Sequence, residues 1–353
     1  MRTIIRRVLR VLAAVVGALV LALVVFCLVP YRSAIRPLHP RASTRYWTMP
    51  GGYRIAFTRV PARGGRRGAP VIVLHGGPGA YVYSTNIATF GRLADLGRDV
   101  YLYDQVGSGL STRLDRPKDY TFRRHLDDLH EIVAAKIGGP VVLVGQSYGA
   151  ILVAHFLARH PALVERAVFT SPGALEPSLE DAAGHWVNDR LYPTPAALHF
   201  TAPPPADTGY PLRGIAAMAV ATAFDRKLMS DREADGMLNS MAARFTRGLV
   251  CDPRHVQPEE GGGGFYVKMS NFFGDVPDPR PALRRLGTPA LVLQGQCDFI
   301  PYAGAAEYAD LLRHGEYRFV PGAGHEIWWD RPDEYVGAVS AFLNAAPPAK
   351  PGR

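Results

Sequence analysis

Short apolar runs alternate with longer amphipathic stretches along most of the chain. Val71–Leu74, 99–103, 141–144, 167–170, 290–295 and 317–320 are rich in valine, leucine and aromatic residues and are bounded by glycine, proline or polar residues. Runs of this length and composition predict buried strands. Tyr53–Val60 alternates as a half-buried strand does, and 61–69 is a glycine/arginine turn. Between the runs the period changes. Phe122–Ile137 places Leu126, Leu129, Ile132 and Val133 on one helical face, and helices are also expected over 151–159 and 333–344. Strands separated by helices predict a parallel sheet with both faces covered.

At Gly173 this alternation stops. Residues 173–285 lack strong short strands and carry Pro193, Pro195, Pro203, Pro204, Pro205 and Pro211, helical segments around 213–229 and 231–247, and the run Gly261–Gly264. The expected organisation is an α/β core over 46–172 and 286–346, a helical cap over 173–285, and a tail over 347–353.

The N-terminus follows a different pattern. After a basic leader (1–10), residues 11–29 are uncharged, ending before Pro30. As a helix this run is about 28 Å long, near the hydrocarbon thickness of a bilayer. It is expected to be a single-pass transmembrane anchor, followed by a proline- and arginine-containing linker (30–45). Arginines before the run favour a cytoplasmic N-terminus and an exported catalytic domain. A cleaved signal peptide, giving a secreted protein, is the rival expectation.

Charge then changes the picture. The net charge is +9, yet eight arginines and no acidic residue lie in 1–45. The remainder is close to neutral, which argues against a nucleic-acid partner. Three cysteines exclude a disulfide framework and a cysteine zinc site. Cys27 lies in the apolar run, and Cys251 and Cys297 either pair, if the domain is exported, or stay as two buried thiols.

The candidate chemistry sits at strand ends. Gly145-Gln146-Ser147-Tyr148-Gly149 follows one strand and precedes a helix, the context in which Gly-x-Ser-x-Gly lifts a serine hydroxyl above the sheet edge. A serine nucleophile needs a base and an orienting carboxylate. Asp298 follows the 290–295 strand and His325 follows the 317–320 strand, so Ser147, Asp298 and His325 occur in the required order, each in a post-strand loop. Glu176 is the alternative acid. The tetrahedral intermediate needs backbone donors, expected from Tyr148 N–H and from the glycine-rich loop after His75. His75 itself is expected to fix that loop.

His75-Gly76-Gly77-Pro78-Gly79, Asp104-Gln105 with Gly107, Gly109 and Ser111, Gly145–Gly149, Gly295 with Asp298 and Pro301, and Gly322 with Gly324 and His325 follow one another along the chain. Together they resemble the α/β-hydrolase fold, most closely its proline iminopeptidase branch. The resemblance implies Ser147 as nucleophile, His325 as base and Asp298 as its partner. It also implies an oxyanion hole from the N–H groups of Gly77 and Tyr148, with Asp104 and Gln105 holding loops. No metal, nucleotide or flavin is implied, and the partner is a small molecule or short peptide. In that branch, cap carboxylates bind a free α-ammonium. The cap here offers Glu176, Glu180, Asp181, Asp189, Asp225, Glu233, Asp235, Glu259 and Glu260, most of them expected to be solvated. Phe265, Tyr266, Phe272, Phe273, Trp328 and Trp329 are candidates for an apolar pocket. Three functions stand: an aminopeptidase releasing an N-terminal proline or other small residue, a carboxylesterase or lipase, and a catalytically silent binding protein.

Overall fold

The structure is a computed structural model and describes residues 2–175, 191–268 and 276–346; the side chains of residues 2–4, 19, 23 and 26 also lie outside the description. Eight strands form one sheet: β1 (Thr44–Thr48), β2 (Arg54–Val60), β3 (Val71–Leu74), β4 (Val100–Tyr103), β5 (Val141–Gln146), β6 (Val164–Thr170), β7 (Ala290–Cys297) and β8 (Gly315–Gly324). Their spatial order is β1-β2-β4-β3-β5-β6-β7-β8. β1 and β2 pair antiparallel, as do β2 and β4; the pairings from β4 through β3 to β8 are parallel.

The helices are α1 (Arg2–Leu28), α2 (Ser84–Phe90), α3 (Phe122–Glu131), α4 (Tyr148–Arg159), α5 (Leu212–Phe224), α6 (Asp231–Phe245), α7 (Phe265–Lys268), α8 (Arg280–Leu283), α9 (Tyr302–Leu311), α10 (Ile327–Asp330) and α11 (Pro332–Asn344). The pleat divides each central strand between two cores. Ile72, Leu74, Val141 and Leu143 pack with Leu126, Leu129, Ile132 and Val133, and with Phe156 and Leu157 of α4. Val71, Val73, Val142 and Val144 pack on the opposite face with Phe90 of α2 and with Tyr335 and Val339 of α11. This two-sided burial is why the central strands read as unbroken apolar runs. The expected helix 122–137 ends its α-helical part at Glu131 and continues as a π-turn over Ile132–Ile137, closed by Gly138 in the left-handed conformation.

Two of the cap's described helices, α5 and α6, match the segments expected around 213–229 and 231–247. They pack on α7 through Ala217, Ala221, Met237, Met241, Phe265 and Tyr266. Most of the described cap carboxylates are not solvated as expected, because they are tied into the structure. Asp235 pairs with Arg113 of the core (2.8 Å) and accepts Phe265 N–H (2.9 Å). Asp225 pairs with Arg116 (2.5 Å) and accepts Lys118 N–H (2.8 Å). Glu233 pairs with Arg213 and accepts Tyr31 N–H (2.6 Å). Glu260 pairs with Arg41 (2.5 Å), and Glu259 accepts from Tyr83 OH (3.0 Å) and Gly261 N–H (2.9 Å). Glu176, Glu180, Asp181 and Asp189 lie outside the described residues, as do Phe272 and Phe273.

The expected span 11–29 falls largely in α1, a helix of 27 residues. Among the described residues, no helix is long and apolar enough to cross a membrane. The segment expected as a linker is docked on the cap and core. Arg213 donates to the Cys27 carbonyl, Ser33 and Ser240 share a hydroxyl hydrogen bond (2.8 Å), and Leu38 N–H donates to the Gly261 carbonyl (3.2 Å).

Cys251 and Cys297 form a disulfide with Cα atoms 5.2 Å apart. It joins the segment after α6 to the end of β7, next to Asp298, across 46 residues of sequence. Closing a loop of this size removes unfolded-state freedom, so Cys297→Ser should lower stability by about 2–4 kcal/mol. Urea unfolding of the wild type with and without reductant checks this: the reduced protein should unfold at lower urea. An unchanged midpoint contradicts it.

Candidate active site

The Ser147 turn is built by close approach. Ser147 has φ 52° and ψ −116°, a strained conformation for a residue with a side chain. Its N–H donates to the Thr170 carbonyl on β6 (3.0 Å), and its carbonyl accepts Ala150 N–H (3.0 Å), which starts α4. A Cβ at Gly149 would lie 2.4 Å from the Leu74 carbonyl oxygen, and one at Gly145 would lie 2.4 Å from that of Gly149. Both contacts are with backbone, so only glycine lets β3, β5 and α4 meet at this turn.

Asp298 and His325 are brought together from β7 and β8. Asp298 Oδ1 accepts from His325 Nδ1 at 2.8 Å and from Ile300 N–H at 2.9 Å. Both side chains are buried. Burial alone would lower the His325 pKa. The charge of Asp298, its hydrogen bond and the nearby Glu326 carboxylate outweigh that and raise it above the ordinary histidine value. Phe299 lies against the His325 ring, with centroids 4.3 Å apart.

Ser147 and His325 line one cavity of about 550 Å³, with Gly77, Tyr148, Gly79 and Trp329 among its walls. Thus Ser147, His325, Gly77 and Tyr148 share this cavity, and Asp298 stands behind His325. A second crevice, of about 540 Å³, lies under residues 34–39 against Glu259 and Glu260, away from this chemistry.

The loops around the cavity are fixed by buried polar groups. His75 Nδ1 donates to the Gly76 carbonyl (2.9 Å), and Nε2 accepts Gln105 N–H (3.0 Å). Burial pushes His75 down to about 4, so it is neutral at pH 7 and suited to fixing the loop, as expected. Gln105 also donates its side-chain amide to the His75 carbonyl (2.8 Å). Asp104 accepts Val82 and Leu110 N–H, both at 2.8 Å; burial pushes its carboxyl up to about 6 against those hydrogen bonds. Tyr148 is held below the turn by a hydrogen bond between its hydroxyl and His125 Nδ1 (2.8 Å).

Some organising residues escaped the sequence reading. Asp330 Oδ2 accepts Gly324 N–H (2.8 Å) and Cys251 N–H (2.7 Å), and Oδ1 accepts from His255 (2.8 Å), tying the His325 loop to the cap. Its only sequence signal was an acid five residues beyond the histidine. Phe299, Leu238, Phe245, Lys268 and Glu326 also line the cavity. Of the aromatic candidates, Trp329 lines it, whereas Phe265 and Tyr266 belong to the cap core. Trp328 packs in the core beside α11, donating to Asn86 Oδ1 (3.1 Å). No described cap carboxylate lines the cavity.

Residues 69–196 match the alpha/beta hydrolase fold family. Over 315 residues the chain is 39% identical to a proline iminopeptidase from Heyndrickxia coagulans, covering 83% of this chain and 96% of that protein. Among solved structures, an esterase from Exiguobacterium antarcticum aligns with a TM-score of 0.59 at 15% identity, covering 85% of this chain and 99% of the esterase. A proline iminopeptidase from Mycobacterium smegmatis aligns with a TM-score of 0.54 at 23% identity, covering 85% and 97%. These two likenesses establish the shared fold; the sequence relationship establishes more. The protein is a hydrolase of the aminopeptidase or esterase kind, and the chain belongs to the proline iminopeptidase family of α/β hydrolases.

Proposed function

We propose that the protein is a serine aminopeptidase that releases a small N-terminal residue, proline among them, from short peptides through an acyl-enzyme. Ser147 is the nucleophile and His325 the general base, with Asp298 fixing its tautomer. Gly77 and Tyr148 N–H groups receive the oxyanion. The observation that carries this reading is the 2.8 Å Asp298–His325 hydrogen bond behind a cavity that also holds the strained Ser147 turn. With Nδ1 engaged by Asp298, Nε2 is the nitrogen that takes the serine proton and returns it to the leaving amine. The family membership favours a peptide substrate. Proline and alanine arylamides should be turned over in preference to short acyl esters; ester turnover without arylamide turnover refutes the aminopeptidase.

An esterase is the second reading, favoured by the absence of any described cap carboxylate from the cavity lining. Strict dependence on a free substrate amine counts against it. The silent-binder reading has the least support, since the site retains a serine, a base and an acid.

The N-terminal helix belongs to the same proposal as a membrane anchor. Its support is the uncharged run 11–29 and the exposed apolar side chains Val11, Leu12, Val15, Val16, Val20 and Leu21. The disulfide suits an exported catalytic domain. With residues 27–41 docked on the cap and core, such an anchor holds the cavity close to the bilayer. The full chain should stay with the membrane fraction under alkaline carbonate extraction, and a chain starting at residue 30 should not. Release of the full chain by carbonate contradicts the anchor.

A further inference from the structure

Two charged side chains in the cavity wall take no part in the proposed mechanism. Glu326 follows His325 at the end of β8, and Lys268 ends α7. Glu326 is the only carboxylate among the described lining residues, and Lys268 is the only lysine or arginine. Among the described residues, neither side chain has a hydrogen-bond or ion-pair partner. They come from opposite sides of the nucleophile. Lys268 sits over the loop after β3, where a Cβ on Gly79 would lie 3.3 Å from Lys268 Cβ. Glu326 comes from the loop after β8, and β3 and β8 lie on opposite sides of β5 in the strand order, β3 next to it and β8 at the sheet edge.

Both side chains are half-buried in the cavity wall, where an ion without a partner is costly. Burial pushes Glu326 up to about 7, partly offset by His325, and pushes Lys268 below the usual lysine range. A ligand with a positive group at one end and a negative group at the other compensates both. The cavity of about 550 Å³ accommodates a small molecule. Two or three residues of extended chain span about 7–11 Å, enough to reach across such a cavity past Ser147.

We infer that the cavity selects a short peptide with both termini free, its α-ammonium received by Glu326 and its α-carboxylate by Lys268. This rests on the aminopeptidase reading and deepens it. The charge that recognises the amine comes from the loop beside the base, while Asp225, Glu233, Asp235, Glu259 and Glu260 of the cap are engaged in structural contacts. The preference for a carboxylate, in turn, favours a short leaving peptide.

The test compares kcat/KM for the dipeptide Pro-Ala, its N-acetyl derivative and its C-terminal amide. Wild type should prefer the free dipeptide over each capped form by about tenfold or more. Glu326→Gln should erase the preference over the acetylated form and keep that over the amide; Lys268→Met, or Lys268→Gln, should do the converse. Ratios within one variant cancel any general loss of activity, including disturbance of His325 by its neighbour. Labelling of each variant by a fluorophosphonate verifies that its site is folded. Labelled variants that hydrolyse peptides and keep both wild-type ratios overturn the charge assignment and leave the aminopeptidase standing. Ester turnover by wild type with no turnover of Pro-Ala overturns the aminopeptidase and this inference with it.

Discussion

Ser147→Ala should lower kcat by at least ~10³-fold, leaving a residual rate from the oxyanion donors and binding alone. The hydroxyl supplies the bond to the acyl carbon, and the other hydroxyl of the turn, that of Tyr148, is engaged by His125 Nδ1 (2.8 Å). His325→Ala should cost about as much, because nucleophile and base act as one unit. The double variant should therefore be little worse than either single one. Steady-state rates on an arylamide and an acyl ester check both claims. A near-wild-type rate in either single variant means that the site is misassigned, whichever substrate class proves correct.

Asp298→Asn carries the second large effect, a fall in kcat of roughly 10³–10⁴-fold. Asparagine can occupy the same space, but its amide does not favour the His325 tautomer with Nδ1 protonated. Its neutrality also removes the largest influence that raises the His325 pKa. The sign of the pH effect follows. His325 acts as base only when neutral, so wild-type kcat/KM should fall as pH drops through a pKa above the ordinary histidine value. In Asp298→Asn the burial contribution remains without its counterweight, so the acid limb should move to lower pH. A limb that stays in place in this variant separates Asp298 from His325 and contradicts the proposed pairing.

The core was legible because its signals are local. A buried parallel strand is a short apolar run, and Gly145 and Gly149 mark a turn where backbones approach within contact distance. Asp298 and His325 each follow such a run, and the sheet brings their loops together. Helices α2 and α9 escaped the reading: α2 is short, and α9 is an alanine-rich stretch with a weak polar face. The cap was legible only in outline, because its order depends on distant partners. Nothing near Asp235 in sequence points to Arg113, and nothing near Glu233 points to Tyr31 or Arg213. An acid read alone is most often a solvated one, and these are not. Lys268 and Glu326 were missed for the same reason, since a cavity wall assembled from α7 and the loop after β8 has no contiguous sequence pattern.

The disulfide was left open by the sequence, since two cysteines 46 residues apart carry no pairing information. In the fold the pairing brings the segment after α6 beside the acid loop, and Asp330 reinforces the connection by accepting amides from both the Cys251 segment and the His325 loop. Cap position and base position are thereby mechanically linked, although they were expected as separate parts of the molecule.

Covalent labelling by a fluorophosphonate, followed by peptide mapping, tests the central claim most directly. The account predicts one adduct, on Ser147, formed rapidly in wild type, strongly slowed in His325→Ala and absent in Ser147→Ala. An adduct on another serine, or labelling of His325→Ala at the wild-type rate, contradicts it.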